Sequence, residues 1–279
     1  MSWGHNTLVV MAGCALLGVA AGAVGCFALL RGRALLADAI GHAALPGVVV
    51  AALIGALLGS DPRALPPLLF GGALAGAAGL WCVQRLGASG RIRQDAAIAV
   101  VIAGFYALGV VGLSVVQAWP AAAQAGLEGF ILGQAAALTA ADAWAAGGLA
   151  LVCVAAVLAL FHPLALLCFD PDFARGLGLP AARLDAALLG LVLLVCIAGL
   201  QAVGLVLVVA LLVLPAATAR LLVRRLQGMF ALSCGIGAVS AMIGVALSAA
   251  RQGLPTGASV VLAGSLLFAL ALLWRRFRG

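Results

Sequence analysis

The sequence has no lysine, a single tyrosine and little charge of either sign: Asp, Glu, Lys and Arg together make up 8% of its 279 residues. Soluble domains carry about 25% charged and about 45–50% apolar residues, whereas apolar residues here reach 66%. Water cannot solvate such a surface, so an ordinary soluble globular protein is excluded. The missing lysine also excludes a Walker A phosphate loop, whose Lys reaches the β- and γ-phosphates of a nucleotide. Paired-cysteine motifs are lacking as well. The seven cysteines stand singly inside apolar runs and behave as small hydrophobes. Met1 to Asn6 holds neither Lys nor Arg, so the basic region of a secretory leader is missing and the first apolar run is expected to stay in the membrane.

What is present is apolar sequence in long blocks. Runs at 7–30, 37–58, 64–84, 95–116, 143–168, 186–199, 203–220, 229–250 and 257–274 are candidate spans, judged against the about 20 residues that a bilayer-crossing helix needs. The expected fold is all-α, a polytopic bundle of about eight or nine transmembrane helices forming one domain over 1–279. The two short runs on either side of Gly199 to Gly204 read as a tightly turned pair. The steps Gly18 to Gly22 and Gly72 to Gly76 point to close helix packing.

The basic residues, all arginine, sit in short loops between the runs, so the net charge of +7 reads as a topology signal and not as a nucleic-acid surface. With Arg275, Arg276 and Arg278 in the cytoplasm, alternation puts every other arginine except Arg63 and Arg251 there too, and the N-terminus outside. Gln117 to Asp142 is the ambiguous stretch. A further span there would move Arg31, Arg33, Arg85, Arg91 and Arg93 outside, so it reads as an external or re-entrant connection, with Thr139 to Asp142 as a capping signal for the next helix.

Two ionisable side chains interrupt the second run. Asp38 and His42, in Asp38-Ala39-Ile40-Gly41-His42, are four residues apart and share a helix face. A carboxylate oxygen and an imidazole nitrogen together suit a divalent transition metal. Pro46, four residues further on, cannot donate to the carbonyl of His42, which leaves a backbone oxygen beside the pair. The alternative reading makes Asp38 a helix cap near Arg31 and Arg33, and His42 a packed histidine. A second polar interruption, Asp170 to Pro180, has helix grammar: Asp170 as N-cap, Pro171 first, Asp172 at the positive helix start, and Gly176 or Gly178 as the stop. It specifies a surface helix of about two turns, too short to span.

The segment Leu30 to Gly47 closely resembles the signature of permease subunits of ABC importers for zinc, manganese or iron. Leu200 to Gly204, continuing through Ala210 to Arg220, resembles that family's other hallmark, and Phe169 to Leu179 its coupling loop. The resemblance implies a multi-pass permease of the inner or plasma membrane, embedded in lipid and dimeric with a second copy of itself. Its other implied partners are cytoplasmic ABC ATPase subunits and an extracytoplasmic metal-binding protein. It implies that Asp38 and His42 hold the ion transiently and that Asp170, Asp172, Phe173, Ala174, Arg175, Gly176 and Gly178 couple to the ATPase. The chain itself would be no enzyme and hold no permanent cofactor; zinc, manganese or iron would be its cargo.

One departure bears on the ligand set, since Gly41 stands where the family often has Ser. Pro46, Gln201 and Thr218 are candidate path-lining residues, while His162 reads as structural. Glu128 is a weaker candidate for contact with the binding protein. Two rival readings are a proton-coupled secondary metal transporter and an ABC permease for chelated iron or a vitamin; the Asp38 and His42 pair favours a bare ion.

Overall fold

The computed structural model describes residues 5–59, 65–118, 139–251 and 254–278. These form eleven helices: α1 (His5–Leu30), α2 (Leu36–Leu57), α3 (Leu65–Ala88), α4 (Gln94–Ala118), α5 (Ala140–Ala159), α6 (Phe161–Phe169), α7 (Pro171–Gly176), α8 (Ala181–Val203), α9 (Leu205–Leu222), α10 (Leu226–Ala250) and α11 (Thr256–Arg278). Hydrocarbon offers no partner to a backbone N–H or C=O, so apolar runs close their bonds internally as helices. Eight of the helices are long and apolar enough to cross a membrane, and α9 contributes a shorter apolar stretch, Leu207–Leu222.

Two boundaries differ from the hydropathy reading or sharpen it. The expected run 143–168 is not one helix: it breaks at Leu160 between α5 and α6. Pro163 explains the break, because it has no N–H for the Ala159 carbonyl and its ring would collide with that carbonyl. The pair expected around Gly204 does form, joined by that residue alone. Gly204 has φ 84 and ψ 164, a conformation that side chains exclude, and the turn lays Val208 against Gly199.

The core is organised around α1, which packs against α10, α5, α9 and α8. Gly18 and Gly237 face each other so closely that a Cβ on either would strike the other's carbonyl. One turn along, the Ser233 hydroxyl donates to the Gly22 carbonyl at 2.8 Å. The expected Gly18 to Gly22 step is thus the α1–α10 crossing, where small residues let backbones approach and gain dispersion contacts. Gly72 and Gly76 instead receive the side chains of Val48, Ile40 and Leu193.

A second group, α2, α3 and α4, includes the helix of Asp38 and His42. Leu45 packs on Gly109 and Val49 on Gly112, so α2 and α4 run parallel. Gly13 lies beside Ala143 and Leu16 beside Gly147, so α1 and α5 also run parallel. Residues 119–138 lie outside the described residues, but their flanks, the end of α4 and the start of α5, therefore sit at the same end of the bundle. Thr139 opens α5 with the expected capping box: its hydroxyl accepts from the Asp142 N–H at 3.3 Å, and its own N–H donates to the Asp142 carboxylate at 2.9 Å. Every described arginine except Arg251 lies at the opposite, arginine-rich end.

Candidate functional site

Asp38 does not cap its helix. The N-cap position of α2 is Leu35 and no side chain bonds there. The arginines that sequence proximity would assign to Asp38 are engaged elsewhere. Arg31 grips Asp185 of α8 with both arms of its guanidinium, Nε to Oδ1 at 3.0 Å and Nη2 to Oδ2 at 3.3 Å, and Arg33 reaches the same carboxylate at 3.2 Å. Asp38 pairs instead with His42, Oδ1 to Nε2 at 3.5 Å. That pair lies deep in the bundle, because the Ala37 carbonyl accepts from the Cys196 thiol past the middle of α8, at 3.7 Å.

The pair opens towards the outside of the bundle, with side chains 41% exposed at Asp38 and 26% at His42. Their stripe continues down α2 through Pro46 to exposed Val50 and Ile54, each four residues on. Pro46 borders an apolar cavity of about 620 Å3 between α2, α3 and α4. Tyr106 of α4 stands edge-on to the imidazole, while His42 Nδ1 is buried without a hydrogen-bond partner. The Asp38 carboxylate, with no guanidinium on it, and the adjacent His42 Nε2 form an oxygen–nitrogen donor pair that a cation can use. Among the described residues no three His, Cys, Asp or Glu side chains converge.

The other expected path residues divide. Thr218 is buried within the bundle and donates to the Leu214 carbonyl at 2.7 Å, whereas Pro46 lies on the open stripe. Gln201 falls in the last turn of α8, and its side chain lies outside the described residues. Glu128 also lies outside them. His162 is exposed and lines a second cavity of about 620 Å3 with Asp170 and Arg225.

At the arginine-rich end α7 forms as its grammar specifies. The Asp170 carboxylate accepts from the Phe173 N–H at 2.9 Å, and Arg175 pairs with Asp172 at 2.7 Å. Gly178, not Gly176, is the stop: at φ 78 it occupies the left-handed region and donates to the Arg175 carbonyl at 2.9 Å. Ala174 is buried, whereas Phe169, Phe173 and Leu177 are all more than half exposed.

The family model for the ABC 3 transport family matches residues 5–275. The chain belongs to this family. Among its relatives, the manganese transport system membrane protein MntC of Bacillus subtilis is 38% identical over 98% of this chain, which spans 62% of that relative's length. The zinc transport system membrane protein TroC of Treponema pallidum is 36% identical over 91% of this chain and 83% of its own. A solved structure of PsaBC from Streptococcus pneumoniae, in complex with Fab, superposes with a TM-score of 0.81 at 29% identity, covering 96% of this chain and 91% of that one. Two residues of this ABC 3 chain stand out only in three dimensions: Tyr106, which packs on His42, and Asp185, which binds Arg31 and Arg33. Tyr106 was legible only as a lone phenol in a span, and Asp185 as a lone carboxylate in an apolar helix.

Proposed function

We propose that this chain is the permease subunit of an ATP-driven importer for a divalent transition metal, with Asp38 and His42 as transient ligands of the cargo ion. The observation that supports this reading is the Asp38–His42 pair itself, deep in the bundle and on the protomer's open face. A carboxylate turned to lipid costs about 2.5–3.5 kcal/mol. The open stripe therefore faces a second copy of the chain across a path. Two copies bring two carboxylates and two imidazoles towards one axis, and incomplete ligation lets the ion leave again. Pro46 and Gln201 extend the lining.

Manganese and zinc are the ions named for relatives, and an oxygen–nitrogen donor pair suits either of them or ferrous iron. A chain without lysine cannot supply a Walker A loop, so ATP is hydrolysed on separate cytoplasmic subunits. Those subunits dock at Asp170, Asp172, Phe173, Arg175, Gly176 and Gly178, with buried Ala174 holding the helix in place. The arginine-rich end is cytoplasmic and the N-terminus external, where a binding protein delivers the ion. All of 1–279 forms one transmembrane domain, and no resident cofactor takes part.

The test is manganese and zinc uptake by the assembled transporter carrying Asp38→Ala or His42→Ala. Each variant is expected to insert, bind its ATPase and lose uptake at least about tenfold, since half of a protomer's ligand pair is gone. Wild-type uptake in both variants would overturn the assignment, and uptake driven by a proton gradient without the ATPase would place the chain among secondary carriers.

A further inference from the structure

We infer that Asp185 keeps Arg31 and Arg33 from occupying Asp38, and so leaves the carboxylate of the metal path open to a cation. The inference rests on the reading of Asp38 and His42 as ligands.

In sequence, Arg33 lies five residues before Asp38 and Arg31 seven, while Asp185 lies 154 and 152 positions away from Arg31 and Arg33. Local proximity would pair the arginines with Asp38, and a bidentate guanidinium on that carboxylate would displace a metal ion. The fold gives the arginines another acceptor. Arg31 takes both oxygens of Asp185 and Arg33 shares Oδ2, with the three side chains only 19%, 24% and 20% exposed for Arg31, Arg33 and Asp185. At that exposure solvent screens the charges weakly, so an arginine deprived of its partner would seek another carboxylate.

Space does not hold the Arg33 guanidinium in place. Arg33 and Asp185 line a cavity of about 400 Å3 together with the polar Gln84 and Gln94, and Leu36 of α2 borders the same cavity. What holds the arginines is charge. Asp185 also brings the local sum of these three groups from two positive charges to one, which lowers the barrier to a cation moving near them. Asp185 is thus a positioning residue: it touches no cargo and acts through the two arginines.

The experiment measures Mn2+ binding to the purified permease in lipid nanodiscs, reading unbound Mn2+ by its electron paramagnetic resonance signal, with uptake by the assembled transporter in parallel. Asp185→Asn is expected to weaken Mn2+ binding at least about tenfold, the order of effect that one added unit charge has in a weakly screened site at an effective dielectric near 20. Asp185→Glu keeps the charge and binds as wild type does. The decisive variant is Arg31→Gln/Arg33→Gln/Asp185→Asn, in which the arginines are also removed; it is expected to recover binding to within about twofold of wild type. A purely structural brace would not be rescued by removing its partners, so a triple variant as weak as Asp185→Asn overturns the inference, as does wild-type binding in Asp185→Asn. Should Asp185→Asn fail to fold, Arg31→Gln/Arg33→Gln decides: binding at or above wild type supports the inference, and weaker binding overturns it. Failure of the underlying ligand assignment looks different, because wild-type Mn2+ binding would then survive Asp38→Ala.

Discussion

Tyr106 stands edge-on to His42, with ring centroids 5.3 Å apart and planes at 89°. The contact exists because α2 and α4 run parallel in a register set by Leu45 on Gly109 and Val49 on Gly112. An edge-to-face pair places the positive edge of one ring against the negative face of the other, and contributes about 0.5–1.5 kcal/mol beyond the area it buries. Here it fixes the plane of the imidazole whose Nε2 faces Asp38.

Removing the ring should therefore cost more than removing its hydroxyl. Tyr106→Ala is expected to lower metal uptake about tenfold, which corresponds to the upper end of that pair energy, while Tyr106→Phe stays within about twofold. If the phenylalanine variant loses as much as the alanine variant, the hydroxyl and not the ring carries the role.

Orientation gives a labelling prediction. Ser89, exposed at the arginine-rich end, and Leu254, at the opposite end, lie on different sides of the bundle. In a background without native cysteines, Leu254→Cys should react with an impermeant thiol reagent on intact cells and Ser89→Cys should not. The reverse pattern would invert the topology proposed from the arginines.

At α7, three substitutions attack three separate supports. Asp170→Ala removes the bond to the Phe173 N–H and should cost the helix about 1 kcal/mol. Arg175→Glu replaces the partner of Asp172 with a like charge. Gly178→Val forces a β-branched residue to φ 78. All three are expected to leave Mn2+ binding intact and to weaken ATPase association or transport-linked ATP hydrolysis. Wild-type coupling in all three, measured in proteoliposomes, would remove α7 from the ATPase contact.

The α1–α10 crossing gives a stability prediction. A side chain at Gly237 meets the Gly18 backbone, which has no rotamer to yield. Gly237→Val should destabilise the purified permease by about 1–3 kcal/mol, the usual range for overpacking. A thermal unfolding midpoint equal to wild type would show that α10 shifts without cost.

Much of the architecture was legible from residues near one another in the chain. Hydropathy located the spans because a bilayer forces each segment to close its own backbone bonds, whatever its neighbours. The Thr139 and Asp170 caps were legible because each satisfies N–H groups within three residues. The i, i+4 spacing of Asp38 and His42 was likewise a local fact.

Other features depended on partners far along the chain. Arg31 and Arg33 lie beside Asp38 in sequence, yet their carboxylate is Asp185; only the packing of α8 against α2 decides that. Thr218 is conspicuous in sequence as a hydroxyl in an apolar helix, and only the structure shows that its own helix satisfies it at the Leu214 carbonyl and that it is buried. Tyr106 reaches His42 through a register between helices that no single span encodes. The sequence by itself thus determined which segments enter the membrane and which ionisable groups they carry. Tertiary structure decided which of those groups neutralise one another and which stay open, because charge pairing acts through space while backbone satisfaction in a helix acts along the chain.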